Sequence, residues 1–210
     1  IPDKVILDPK LSESVELNTI LSSSFDSLTH SIEGYVSLIK NNMMKPIAVS
    51  AIKSIIPNIK KIIDQGKSIN TLEQLSITSY YSGVVQNHCS VGLAHSFAHQ
   101  LGSYLSHGLS CAIFLVPVIE FNSTKSDIYD TLIEELGYKS LENFINDLKG
   151  TIKRSAITPS KDKINMIIKD KDQIIDGAME DVTFRTNPVV AKRDDLEKIF
   201  DVTMERLLDV

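Results

Sequence analysis

Hydrophobic positions recur with a helical period along almost the whole chain. In SFDSLTHSIEGYVSLIK, residues Phe25, Leu28, Ile32, Tyr35, Val36 and Ile39 fall on one stripe. That is the spacing at which one helix face turns to a core. KPIAVSAIKSIIPNIKKIID continues the pattern, with Pro46 suited to a first turn and Pro57 predicting a kink or a break. NTLEQLSITSYYSGVVQN offers Asn70 or Thr71 as N-cap and Glu73 in the first turn. VGLAHSFAHQLGSYL and GLSCAIFLVPVIEFN are apolar nearly all round, which predicts inner helices. The later segments are more polar. SDIYDTLIEEL stops at Gly137, a suitable C-cap, and SLENFINDLKGTI follows. SKDKINMIIKDKDQIIDGAMED predicts two short helices, and TNPVVAKRDDLEKIFDVTMERLL a connector at Pro188 and a C-terminal amphipathic helix. The exception is KVILDP (4–9), which reads as a short buried strand ended by Asp8-Pro9. A lone strand needs a sheet, so its partners lie either in this chain or outside it. KLSESVELNTI follows as a connector or short helix. The pattern predicts an all-α domain with a strand-like N-terminal tail.

The totals narrow the classes. The 210 residues suit one ordinary domain or two small ones, and 42% apolar content supports a core. Net charge is −5 with no basic patch, which argues against nucleic acid as a main partner. Cys89 and Cys111 form no C-x-x-C pair, so a reducing cytoplasm is expected rather than a disulfide-built secreted domain. The longest apolar run, CAIFLVPVI, is closed by Glu120. It is roughly half the length of a membrane span, so no membrane is expected. Pro2, Asp3 and Lys4 interrupt any secretory leader at the start. The first residue is Ile rather than Met, which fits a processed product or a piece of something longer.

Three of five histidines, His95, His99 and His107, fall within VGLAHSFAHQLGSYLSHGLSCA. Asp26 and His30 stand at i and i+4, one helical turn apart, and suit the grip of one divalent cation. Taken alone, Asp26 also fits a first-turn carboxylate favoured by the helix dipole, with His30 a mere neighbour. His95 and His99 are likewise i and i+4, but Ser96 stands where a zinc protease needs Glu. His107 precedes Gly108 at a helix junction, from which it can point back to the same ion. His88, beside Cys89, reads as a helix-end residue and is left out. One Asp with a set of neutral His suits Fe²⁺, Zn²⁺, Ni²⁺ or Co²⁺ better than Ca²⁺ or Mg²⁺. With a further position open, such a set makes a Lewis-acid site. Phosphate loops, a G-x-S-x-G elbow and a His-Asp dipeptide are all absent from the sequence.

These blocks carry a family resemblance. FDSLTHSIEGYVS resembles the GMDALTHAIEAYVS block of iron-containing (group III) alcohol dehydrogenases. GLAHSFAHQLGSYLSHGLSCAIFLVPVIEFN resembles their G-x-x-H-x-x-x-H-P-L-G … P-H-G-x-x-x-A-I-L-L-P block. PDKVILDPKL looks like the strand leading into the helical half of that fold, and TFRTNPVVAKRDDLEKIF like its closing block. The resemblance implies the all-α C-terminal metal domain, of the dehydroquinate synthase-like kind. Residues 1–11 would be strand or linker from an N-terminal nucleotide-binding domain outside this sequence, and 12–210 the helical domain. Carried over by position, Asp26, His30, His95 and His107 are the implied metal ligands. His99 is the implied catalytic histidine beside substrate and nicotinamide.

The implied activity is NAD- or NADP-linked oxidation of an alcohol, or reduction of an aldehyde or ketone, with Fe²⁺ or Zn²⁺. His99 would orient the substrate or relay its proton. The partners implied are a small-molecule substrate and the chain's own nucleotide-binding domain, and a homodimer is an allowed assembly. This chain alone is expected to be inactive. Ser24-Phe25 replaces the usual Gly-Met, Gln100 and Ser106 replace prolines, and the loop between His99 and His107 is shortened. These departures point to a divergent branch acting on sugars or sugar acids. Two rivals stand beside this reading. One is a metal-dependent hydrolase, for which Glu33 and Glu120 are the nearby candidate bases. The other is a non-catalytic helical interaction domain.

Overall fold

A computed structural model describes residues 3–209. Ten α-helices order the described residues: α1 (Leu17–Val36), α2 (Lys45–Gln65), α3 (Ile69–Cys89), α4 (Leu93–Gln100), α5 (His107–Ser123), α6 (Ile128–Leu136), α7 (Leu141–Ser155), α8 (Lys161–Lys169), α9 (Lys171–Glu180) and α10 (Arg193–Leu208). Short 3₁₀ turns cover Pro9–Ser12 and Val182–Thr186. The all-α expectation holds, and no strand occurs among the described residues.

Two apolar clusters make up the interior. One is built from α1, α2, α3, α6, α7 and one side of α5, through Leu28, Ile32, Ile55, Leu115 and Ile119. The other joins α4, α8, α9, α10 and the opposite side of α5, through Phe97, Phe114, Ile175 and Phe200. α5 therefore lies between them. Its all-round apolar sequence follows from that position, since neither side of the helix is offered to water. Phe97 stacks on Phe114 at 4.4 Å, which fastens α4 to α5.

Several local expectations are corrected. Residues 4–8 form no strand and are largely exposed, Ile6 at 89%. The described residues offer no sheet edge to pair with, and unpaired backbone does not hold a strand. The first two residues of the expected 1–11 segment lie outside the described residues. Pro57 neither breaks nor ends α2. The carbonyl it frees belongs to exposed Lys53, where water can accept the loss. The N-cap of α3 is Ser68, whose hydroxyl accepts from the Thr71 amide at 3.2 Å. α1 begins at Leu17, so Ser22, Ser23 and Ser24 lie inside it. Ser24 Oγ donates back to the Ile20 carbonyl at 2.7 Å, so a serine here satisfies itself inside a helix. Gly137 does end α6 in the left-handed conformation, as its residue type favours. The segment 161–180 is two short helices, and α10 follows the Pro188 connector.

Candidate metal centre

The site forms where α1, α4 and α5 meet. Asp26 and His30 lie in the middle of α1, one turn apart. Asp26 is thus not a first-turn carboxylate, and the helix dipole does not account for it. α4 is a short helix with His95 in its centre and His99 in its last turn, and His107 is the first residue of α5.

Close backbone approach brings the third element in. A methyl group on Gly108 would sit 2.1 Å from the Ser22 carbonyl oxygen. The start of α5 thereby presses directly on α1 and carries His107 to Asp26.

The donor atoms converge. Asp26 Oδ1 lies 3.2 Å from His107 Nε2, 3.4 Å from His95 Nε2 and 3.8 Å from His30 Nε2. One ligand atom from each of the four residues lies within 4.8 Å of the others. With nitrogen or oxygen donors about 2.0–2.1 Å from a tetrahedral ion, neighbouring donors are about 3.4 Å apart. The spacing therefore fits one divalent cation. The chemistry of His95 points the same way. It is 1% exposed, and its Nδ1–H donates to Glu33 Oε2 at 2.7 Å. A carboxylate only accepts, so Nδ1 carries a proton and Nε2 faces the cluster. That Nε2 is buried without a hydrogen-bond partner. Burying such an atom unpaired is costly, and a cation in the ring removes the cost.

Glu33 is the residue that sequence reasoning underused. It is 3% exposed and also accepts from the amides of Gly92 at 2.8 Å and Ala94 at 2.7 Å. Gly92, the N-cap of α4, has no side chain to cap the helix. Glu33 does this from α1 and orients His95 with the same carboxylate. Its place seven residues after Asp26 was a legible signal. Glu33 is fully engaged, and Glu120 is paired to Lys149 and Arg206. Neither candidate base of the hydrolase reading is free.

His99 stands apart from the four. It does not join the converging set, although its ring stacks on His107 at 5.5 Å. Its Nδ1–H donates to Asp181 Oδ2 at 2.8 Å. Asp181 Oδ1 in turn accepts from the amide and hydroxyl of Thr183 at 2.8 and 2.7 Å. Asp181 is distant in sequence, and no local pattern marks it.

Cys111 is a second omission. It lies one turn after His107, with Sγ 3.3 Å from Asp26 Oδ1 and 3.7 Å from His107 Nε2. His88 is not in the cluster. Its Nδ1 is satisfied by the Val84 carbonyl, and its side chain lines the cleft that His99 faces.

Charge in the cluster is strongly redistributed. Burial opposes ionisation of Asp26, but its close contacts with His107 and His95 and the charge of His30 hold its carboxyl far below the usual range. The Asp26 contact pushes His107 up to about 10. Burial and neighbouring His95 push His30 down to about 4. These groups hold their protons as a set, and a cation binding there has to displace them.

One opening reaches the four-residue ring and another reaches His99. The first is walled by Thr19, Ser22, Ser23, Asp26, Ser106 and His107. The other has Gln86, Asn87, His88, Ser90, His99 and Thr183 in its walls. Ser106 faces the first opening, with Oγ 3.2 Å from Ser22 Oγ. Gln100 does not shape either opening. Its amide rests against Gly177 of α9, and its Nε2 donates to the Ser96 carbonyl. A further groove, between the N-terminal segment, α1 and α3, contains none of the five implied site residues.

Comparison with known proteins bears on this arrangement. The family model described as Fe-containing alcohol dehydrogenase family, C-terminal, matches residues 20–204. Alcohol dehydrogenase 4 of Schizosaccharomyces pombe is 28% identical over 94% of this chain and 48% of its own length. NAD-dependent methanol dehydrogenase of Bacillus methanolicus is 27% identical over 94% of the chain and 55% of its own. The chain spans about half the length of the curated relatives it matches. In fold it is similar to an iron-containing alcohol dehydrogenase from Thermococcus thioreducens, with TM-score 0.88 and 22% identity over 97% of this chain and 55% of that one. A 1,3-propanediol oxidoreductase structure gives 0.84 and 23% over 93% and 54%.

Proposed function

We propose, from the premise that this chain belongs to the Fe-containing alcohol dehydrogenase family as a C-terminal part, that the full-length protein is an NAD- or NADP-linked alcohol dehydrogenase or aldehyde and ketone reductase. This chain is then its cation- and substrate-holding half. Residues 12–210 form the helical domain, and residues 1–11 join it to a nucleotide-binding domain. The observation that carries the reading is the buried, unpartnered Nε2 of His95 within 3.4 Å of Asp26.

Asp26, His30, His95 and His107 would hold Fe²⁺ or Zn²⁺. When bound, the cation supplies Lewis acidity that eases loss of an alcohol proton or addition of hydride to a carbonyl. The chain's own groups do the rest. Glu33 keeps His95 in the tautomer that presents Nε2. Half-exposed His107 marks the open side of the ring. Asp181 holds Nδ1–H of His99, leaving its Nε2 to take the substrate's proton or return it. The nucleotide-binding domain would place nicotinamide against this side and exclude water.

For the substrate, the curated relatives named above include a methanol dehydrogenase, which supports a small alcohol. The hydroxyl, amide and imidazole groups in both openings support one with more than one hydroxyl, such as a sugar. Neither opening has a Lys or Arg in its wall, so this chain lends no support to a sugar acid. Cys89 and Cys111, both free and buried, suit a reducing cytoplasm.

The test is nicotinamide-linked turnover. Full-length protein is expected to oxidise a small alcohol with NAD⁺ or NADP⁺, to lose this on chelation, and to regain it with Fe²⁺ or Zn²⁺. The 210-residue chain alone is expected to give none. Turnover without nicotinamide, or by this chain alone, contradicts the reading.

A further inference from the structure

Cys111 is wholly buried, at 0% exposure, yet its sulfur faces the polar ring rather than the core. It stands at i+4 from His107 on α5, so both side chains share one helix face. Its Sγ lies 3.3 Å from Asp26 Oδ1 and 3.7 Å from His107 Nε2. For an ion about 2.3 Å from sulfur and about 2.0–2.1 Å from nitrogen or oxygen, five-coordinate angles set such edges at about 3.1–3.8 Å. Both distances fall in that range. Independently, the orphaned Nε2 of buried His95 is aimed into the same ring.

We propose that Cys111 is a fifth, soft donor to the cation held by Asp26, His30, His95 and His107, and that it biases the site towards Zn²⁺ and Co²⁺ over Fe²⁺. The proposal rests on the reading that those four residues hold a divalent cation. Thiolate sulfur favours zinc among these ions, whereas a ring of imidazole and carboxylate donors alone accommodates iron as readily. On ligation the S–H bond breaks heterolytically. Sulfur keeps the electron pair for the ion, and the proton leaves to the buffer through the open side at His107. No oxidant or reductant is needed. Cys89, buried at the end of α3, has no such neighbours and serves as the control.

The experiment loads chelator-stripped full-length protein with Co²⁺ and records its absorption. The expected result is visible d–d bands together with a near-ultraviolet sulfur-to-cobalt charge-transfer band. Cys111→Ser should lose the charge-transfer band and keep the visible bands, while Cys89→Ser keeps both. In competition, Cys111→Ser should lower the ratio of Zn²⁺ to Fe²⁺ retained by at least about tenfold. X-ray absorption of the unmutated zinc-loaded protein needs no variant to fold, and should show one sulfur at about 2.3 Å. Visible bands without charge transfer, or a purely nitrogen and oxygen shell, overturn the role of Cys111 and leave the four-residue site standing. No cobalt uptake by the unmutated protein, matched by His95→Ala, overturns the four-residue site and this proposal with it.

Discussion

His95 has one orientation open to it. Its ring is buried, its Nδ1–H is held at 2.7 Å by Glu33, and it stacks on His30 at 4.6 Å. Glu33 is itself fixed by the two amides that open α4. One carboxylate thus caps a helix and sets the tautomer of a histidine that has nothing else to bind. Glu33→Gln keeps the shape and removes the charge. It is expected to lower Zn²⁺ affinity by about 10–100-fold, as loss of a carboxylate behind a ligating histidine generally does, measured by competition with a chromophoric chelator. Unchanged affinity would mean that Glu33 serves the helix alone. His99, with its own carboxylate in Asp181, is built in the same way but opens to a cleft. The two histidines are one turn apart on α4 and differ in what surrounds them, which spacing alone does not tell.

At the scale of elements, the approach of α5 to α1 decides whether a site exists. Gly108 meets the Ser22 carbonyl with no room for a methyl group. Gly108→Ala is expected to destabilise the fold by about 1–3 kcal/mol through overpacking, read by denaturant unfolding. It should also weaken cation binding, because His107 moves away from Asp26. A second joint ties α7 to α2. Asp147 accepts from Lys60 Nζ and the Tyr138 hydroxyl. Burial opposes its ionisation, but these contacts hold the carboxyl below its ordinary value. A folded pKa below the unfolded one gives stability that is present above about pH 4 and lost as pH falls further. Unfolding midpoints from neutral to acid pH are expected to drop less steeply for Asp147→Asn than for the unmutated protein.

The helices themselves were legible from their period, and the all-round apolar run of α5 foretold its place between the two clusters. Helix starts were legible only in part: Pro46 does stand in the first turn of α2, whereas Ser68, not Asn70 or Thr71, caps α3. Ser24 bonds back to its own helix and Ser22 meets Ser106 at the start of α5, so neither serine marks a helix start. The strand expected at residues 4–9 needs a partner that local sequence cannot supply. Asp26, His30, His95, His99 and His107 stood out by residue type and spacing, the family resemblance set His99 apart, and the structure brings the donor atoms of the other four together. Cys111 was readable at i+4 from His107. Asp181 was not, because its contact with His99 crosses 82 positions.

At the scale of the molecule, the ring of Asp26, His30, His95 and His107 sits where the two apolar clusters meet, on α1, α4 and α5. One polar opening reaches that ring and another reaches His99. The central claim is that this ring binds a cation through four residues and leaves His99 for the substrate. Elemental analysis of the full-length protein, unmutated and as His95→Ala and His99→Ala, tests this most directly. The expected result is about one ion per chain in the unmutated protein, near-complete loss in His95→Ala, and retention in His99→Ala with activity reduced about 10²–10⁴-fold. Metal retained by His95→Ala and lost by His99→Ala, or equal retention in both, would contradict it.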